Sequence, residues 1–182
     1  MLAAAVTFPA VYADSAAPAA SAAPAAPELG VWQHHVATIQ YFATTTRYSC
    51  DGVEDKVRQI LVFLGARKDM SVVAQGCDRG PFRPSHMATV KVDFYSLGPA
   101  GDEHAADGVA AHWRAVDMRP LRVQFLSGDD CDLLKAMQSA LTTSFSWHDL
   151  KYGTSCFPYS ETSNSYAVKG AVLAPGAPPK SG

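Results

Sequence analysis

The sequence predicts an α+β fold, a two-layer sandwich in which two helices cover one face of a mainly antiparallel sheet. Three observations predict it. Two segments place apolar residues at helical spacing. The stretches between them alternate apolar and polar residues, as half-buried strands do. A Cys-Asp pair stands at the start of each helical segment, and a second cysteine follows at a similar distance: Cys50-Asp51 with Cys77, and Cys131-Asp132 with Cys156. The order strand, helix, strand, strand thus reads twice, which points to a duplicated β-α-β-β unit.

The elements follow in chain order. Gly30 to Phe42 is rich in Val, Ile, Thr and Tyr and alternates as a strand. Asp51, with Glu54 three residues on, resembles a capping box. From Val53 the apolar residues Val57, Ile60, Leu61 and Leu64 fall on one helical face, and Gly65 is placed to end the helix. Met70 to Ala74 is a short strand leading to Cys77. Gly80 to Pro84 is a loop that its prolines keep out of any helix. Ala88 to Leu97 alternates as a further strand, and the polar stretch Gly98 to Gly108 is a loop. His112 to Met118 reads as a strand, with a helical turn over Val109 to Trp113 as the alternative. Pro120 separates it from Leu121 to Leu126, which also reads as a strand. Ser127-Gly128-Asp129-Asp130 opens the second helix, whose apolar face is Leu133, Leu134, Met137, Ala140 and Leu141. Ser146 to Thr154 and Tyr166 to Leu173 are the last two strands.

Residues 30–174 therefore form one domain, which suits a chain of 182 residues with 48% apolar content. Residues 1–13 (MLAAAVTFPAVYA) are apolar and end in Val11-Tyr12-Ala13, a small-x-small pattern that expects cleavage before Asp14. No Lys or Arg precedes the apolar run, so the true start is expected upstream of Met1. Residues 14–29 form a linker, almost wholly Ala, Pro and Ser from Ser15 to Pro27. They bury too little side chain to offset their ordering entropy, so they are expected to be a flexible tether. Residues 175–182 form a similar tail. No run of eighteen apolar residues exists, so no membrane span is expected. The net charge of -2 and the lack of any basic run longer than Arg67-Lys68 argue against nucleic acid and against an electrostatic membrane anchor. These features together predict a periplasmic or secreted address.

An even count of four cysteines in an exported chain favours disulfides, with three connectivities open. Local geometry selects among them. A helix packed on a sheet runs antiparallel to the strand that follows it, so its start lies beside that strand's end. Cys50 should meet Cys77, and Cys131 should meet Cys156. The alternative is four free thiols in a reducing compartment. No C-x-x-C pair is present, which leaves a zinc ribbon or a thioredoxin-like site without support.

Few residues suggest chemistry. Thr44, Thr45, Thr46 and Arg47 precede the first helix, where hydroxyls, a guanidinium and a helix N-terminus could hold a phosphate or carboxylate. Read structurally, they make a turn, with Arg47 paired to Asp51 or Glu54. His34 and His35 point to opposite faces of a strand, so only one could join a metal site. His86, His104, His112 and His148 lack ligand spacing, and Met70, Met87, Met118 and Met137 are too scattered for a copper site. Asp129, Asp130 and Asp132 lack the alternation of a calcium loop and fit helix capping. His148-Asp149 could belong to a hydrolytic triad, but no G-x-S-x-G elbow accompanies it. Trp32, Trp113 and Trp147 with Tyr41, Tyr48 and Tyr152 could line a ligand surface or simply pack.

The segment from Thr45 to Val57 (TTRYSCDGVEDKV), with Leu64-Gly65-Ala66-Arg67, resembles uncharacterised exported proteins of Gram-negative bacteria. The resemblance extends through Gly128-Asp129-Asp130-Cys131 to the last strand. It implies a shared fold and a periplasmic address, and it carries no functional residue with it. The function expected is an accessory or binding protein of the cell envelope, with no catalytic site and no cofactor, whose partner is an envelope protein or a small ligand. The rivals are a periplasmic hydrolase or transferase and a metal-handling protein. A deep pocket gathering His, acid and hydroxyl groups would mark the enzyme, and a shallow aromatic or strand-edge surface would mark the binder.

Overall fold

In the computed structural model, residues 28–78, 84–101, 108–120, 122–157 and 165–176 are described. The signal-like start, the linker up to Pro27, the end of the tail and the loop holding Asp102, Glu103 and His104 lie outside the described residues.

The alternating stretches form six strands and the two periodic stretches form helices: β1 (Glu28–Phe42), α1 (Cys50–Phe63), β2 (Ser71–Gln75), β3 (Met87–Pro99), β4 (Val109–Asp117), α2 (Cys131–Thr143), β5 (Trp147–Ser155) and β6 (Ser165–Pro175). Within the described residues, β1 runs from Glu28, two residues before the expected Gly30. The strand over His112 to Met118 begins at Val109, so the helical turn considered there does not form.

All neighbours in the sheet are antiparallel, in the order β2-β3-β1-β4-β6-β5. The two halves of the chain build the two halves of this order in the same way, each with its first strand innermost and its second outermost. They join through a seam of three residues, Glu28 to Gly30 against Val109 to Ala111. Beyond the seam, β1 from Val31 and β4 from His112 have no strand partner on these edges among the described residues.

Both helices pack on one face. Val53, Val57, Ile60 and Leu61 of α1, and Leu133, Leu134, Met137 and Leu141 of α2, are buried with Ile39, Val90, Val92, Phe94, Val168 and Val172 of the sheet. Full burial of one such side chain stabilises by about 1.5–3 kcal/mol before entropy is counted. Two disulfides clasp this layer, Cys50–Cys77 and Cys131–Cys156, with Cα–Cα distances of 5.4 and 5.6 Å. Each ties a helix start to the segment just past the following strand, and neither crosses between the halves.

Two local expectations are corrected. The cap of α1 is Ser49, whose Oγ accepts from the Gly52 amide at 3.1 Å. Glu54 does not close a box on Asp51; its Oε1 accepts from the Ala74 amide on β2 at 2.8 Å. The strand expected over Leu121 to Leu126 does not form among the described residues. Its described part, Arg122 to Leu126, runs in turns, with the Arg122 amide bonded to Arg119 O and the Leu126 amide to Val123 O. Val123 and Leu126 are buried, and Phe125 meets Phe63 edge-on at 5.7 Å. The apolar alternation there serves a plug against the helices. A 3-10 turn over Gly128–Asp130 then leads into α2, which begins at Cys131.

Candidate functional site

The threonines before α1 point to the other half of the chain. Asp132, buried at the start of α2, has one carboxylate oxygen, Oδ2, that accepts from the Thr44 amide (2.7 Å) and hydroxyl (2.9 Å) and from the Thr45 amide (2.8 Å) and hydroxyl (3.0 Å). Thr45 Oγ1 lies 2.8 Å from Asp129 O, and the Thr46 carbonyl accepts from Tyr41 OH. Of the residues that suggested an anion site, Thr44 and Thr45 hold the protein's own carboxylate, Thr46 enters through its carbonyl, and Arg47 stands exposed beside them. Asp130, also buried, accepts from the Ser127 amide at 2.6 Å and from Tyr48 OH, with Lys56 Nζ 3.4 Å away. Burial and Asp130 together push the Tyr48 phenol well above its ordinary range. These acids are structural ties: Asp130 closes the turn at Ser127, whereas Asp132 binds the segment before α1 and does not cap α2.

Similar ties bind each helix end to the opposite half. Arg114 of β4 donates to the carbonyl of Phe63, the last residue of α1, and its guanidinium lies 5.4 Å from the Phe63 ring centroid. Burial lowers the Arg114 pKa. Ser96 of β3 donates to the carbonyl of Ser144, just past α2. Ser96 Oγ also lies 3.0 Å from His35 Nε2. This serine–histidine contact does not make a nucleophile. The serine proton goes to Ser144 O, so the imidazole donates to Ser96, and the Ser96 side chain is buried. Burial, and secondarily His34, lowers the His35 pKa, which favours the neutral ring.

The other histidines disperse. His34, on the opposite face from His35, pairs with Asp93 at 2.8 Å. His148 and Asp149 lie on β5, where the register shifts between His148 and Lys151. Among the described residues, no group of three or more His, Cys, Asp or Glu side chains converges as a metal site would require. A hollow of about 330 Å³ is lined by Gln40, Phe42, Thr44, Asp132, Lys135 and Ala136, and one of about 430 Å³ by Arg58, Gln59, Val62, Phe63 and Phe125. Neither gathers a histidine, an acid and a hydroxyl.

The face of the sheet turned away from the helices is different. Trp147, Tyr41, Tyr48 and Tyr152 belong to the helix side, where Trp147 Nε1 donates to Leu141 O at 2.9 Å and Tyr152 OH to Leu134 O at 2.5 Å. Trp32 and Trp113 lie on the open side, half-buried, around a second small apolar cluster of Leu97, Ala111 and Leu173. They occupy equivalent places in the two halves. Trp32 pairs with Leu97 two residues before Pro99, and Trp113 pairs with Leu173 two residues before Pro175. Each has a basic side chain from the segment after its helix. The Arg67 guanidinium lies 5.7 Å from the Trp32 ring centroid and 4.8 Å from that of Tyr95, and the His148 ring meets Trp113 edge-on at 3.7 Å. Trp113 Nε1 donates to Glu28 Oε2 at 2.7 Å.

Glu28 pairs with Ala111, Trp113 lies two residues beyond Ala111, and Trp32 lies four residues beyond Glu28 in the opposite direction. The two tryptophans are thus about 20 Å apart along the strands. Small residues floor the space between them. A Cβ on Gly30 would sit 3.2 Å from the Ala111 Cβ and 3.3 Å from a Leu97 methyl. Sequence reasoning named both tryptophans but could not separate them from Trp147, because the parity that faces solvent is set by which side the helices cover.

No family model, curated protein or solved structure matches the chain.

Proposed function

We propose that this chain is an exported binding module of the cell envelope and that the open sheet face is its binding surface. One observation carries the reading: two equivalent tryptophan stations, each with a leucine and a basic neighbour, on the face turned away from both helices. Aromatic side chains with a polar or cationic neighbour are common anchors at recognition surfaces. The signal-like start and the two disulfides support an oxidising compartment, periplasmic or secreted. Among the described residues, no helix is long and apolar enough to cross a membrane.

Site-specific photo-crosslinking in intact cells tests the reading. A benzophenone side chain at His34 or Val36, on the open face near Trp32, should give discrete adducts in the envelope fraction. The same group at Gln138, exposed on α2, should give none. Equal yields from both faces, or cross-linking confined to the cytoplasm, would refute it.

A further inference from the structure

One edge of β1 and the helix α2 frame a groove. Leu29 O accepts from the Ala100 amide at 3.0 Å, and the Ala43 amide donates to His86 O at 2.7 Å. Both bonds run toward the β3 side, so the odd-numbered residues of β1 turn their backbone groups to β3. The even-numbered residues turn theirs the other way. Glu28 and Gly30 meet β4 there, but Val36, Thr38 and Gln40 meet no strand among the described residues. All three are exposed, as is Phe42 at the end of the strand. Helix α2 runs antiparallel along this edge. At its start Asp132 holds Thr44, just past the end of β1; just past its own end Ser144 is held by Ser96, which pairs with Gln33. The hollow of about 330 Å³ lies between the two elements, with Gln40 and Phe42 on the strand side and Asp132, Lys135 and Ala136 on the helix side.

We propose that this groove takes an extended peptide of another protein, which adds antiparallel to β1 and turns an acidic side chain toward Lys135. It is a second contact of the binding module proposed above, and it uses neither indole. An open ladder edge is completed by another strand, whose main chain gives affinity while alternate side chains give specificity. Every existing pair in this sheet is antiparallel. In such a pair, residues directly opposite one another share a face. Peptide residues bonded to Val36, Thr38 and Gln40 therefore place their side chains on the open face, beside the exposed Val36, Phe42 and Met87, where apolar groups fit. The alternate residues turn toward α2. The Asp132 carboxylate there is already held by four donors, whereas exposed Lys135 has no ion-pair partner among the described residues. The charge on offer is thus positive. A second copy of β1 does not match it, because Val31 to Phe42 contains no Asp or Glu.

Amide hydrogen exchange followed by NMR on the full oxidised chain tests this, with the end-capped octapeptide VEVTVEVT as probe. In the chain alone, the amides of Val36, Thr38 and Gln40 should exchange fast and those of Ala37, Ile39 and Tyr41 slowly. Peptide at ten times its Kd should slow the first set about tenfold. Methylating the valine nitrogens removes the donors that face β1 and should abolish binding, while methylating the glutamate and threonine nitrogens should not. Lys135→Glu should weaken binding about fivefold, and lysine in place of the peptide's glutamates should restore it. Equal protection of both sets in the chain alone would show an edge already paired and would overturn the proposal. So would binding that ignores valine methylation, or protection that rises with protein concentration without peptide, the mark of a second copy. The cross-linking above reports on envelope partners: adducts without peptide binding would sink only the groove, and peptide binding without adducts only the broader reading.

Discussion

Removing the Asp132 carboxylate should cost this protein more than any other single polar change. In Asp132→Ala, two amides and two hydroxyls of Thr44 and Thr45 lose their shared acceptor. Hydrogen bonds to a charged group contribute about 1.5–3 kcal/mol each. Four donors crowd one oxygen, so they count as roughly two full bonds, and water reaching the exposed Thr44 recovers part of that. The expected loss is about 3 kcal/mol. With a urea m-value of about 2 kcal/mol/M, the midpoint should fall by about 1.5 M. Asp132→Asn keeps a neutral acceptor and should lose about half as much. Thr44→Val with Thr45→Val removes the hydroxyls but not the amides and should lie between parent and Asp132→Ala. Equilibrium urea unfolding, followed by tryptophan fluorescence and far-UV circular dichroism, measures all three. A loss below about 1 kcal/mol for Asp132→Ala at unchanged m would refute the argument that this carboxylate holds the two halves together.

Replacing Cys131 and Cys156 with Ser should lower stability by about 3.5 kcal/mol, the chain-entropy value for a loop of 25 residues; an unchanged urea midpoint would count against it. Non-reducing peptide mapping should recover Cys50 joined to Cys77, and a Cys50–Cys131 peptide would contradict the local pairing. The His35 pKa is lowered in the fold, so the unfolded chain binds the proton more readily. His35 therefore contributes stability that is intact above its unfolded pKa of about 6.5 and declines as pH falls below it. The drop in urea midpoint between pH 7 and pH 5 should be smaller in His35→Gln than in the parent, and equal drops would contradict the assignment. Gly170→Ala should cost about 1–3 kcal/mol, because its Cβ would sit 2.8 Å from the His148 carbonyl oxygen. A variant as stable as the parent would show that β5 yields there freely.

The helices were legible because their apolar faces repeat at helical spacing, and the cysteine pairs because they recur with the same elements. Leu121 to Leu126 misled because a buried turn can space its apolar residues as a strand does; only backbone bonding separates the two. The threonine cluster was visible as a group of donors, but its acceptor lies in the other half of the chain, where local patterning has no reach. The open face was hidden for a related reason. Trp32 shares its strand parity with Val36 and Phe42, while Ile39 and Tyr41 hold the other. Both parities carry large apolar side chains, so alternation alone did not decide which one the helices would cover.

The covalent clasps close within each half, while the halves meet without covalent links, through three paired strand residues, a shared apolar core and polar ties. Two chains could therefore exchange halves without breaking a covalent bond, each completing the other's sheet. An interlocked dimer of this kind would retain the interior of the monomer, and at high concentration it is the assembly that this arrangement leaves open.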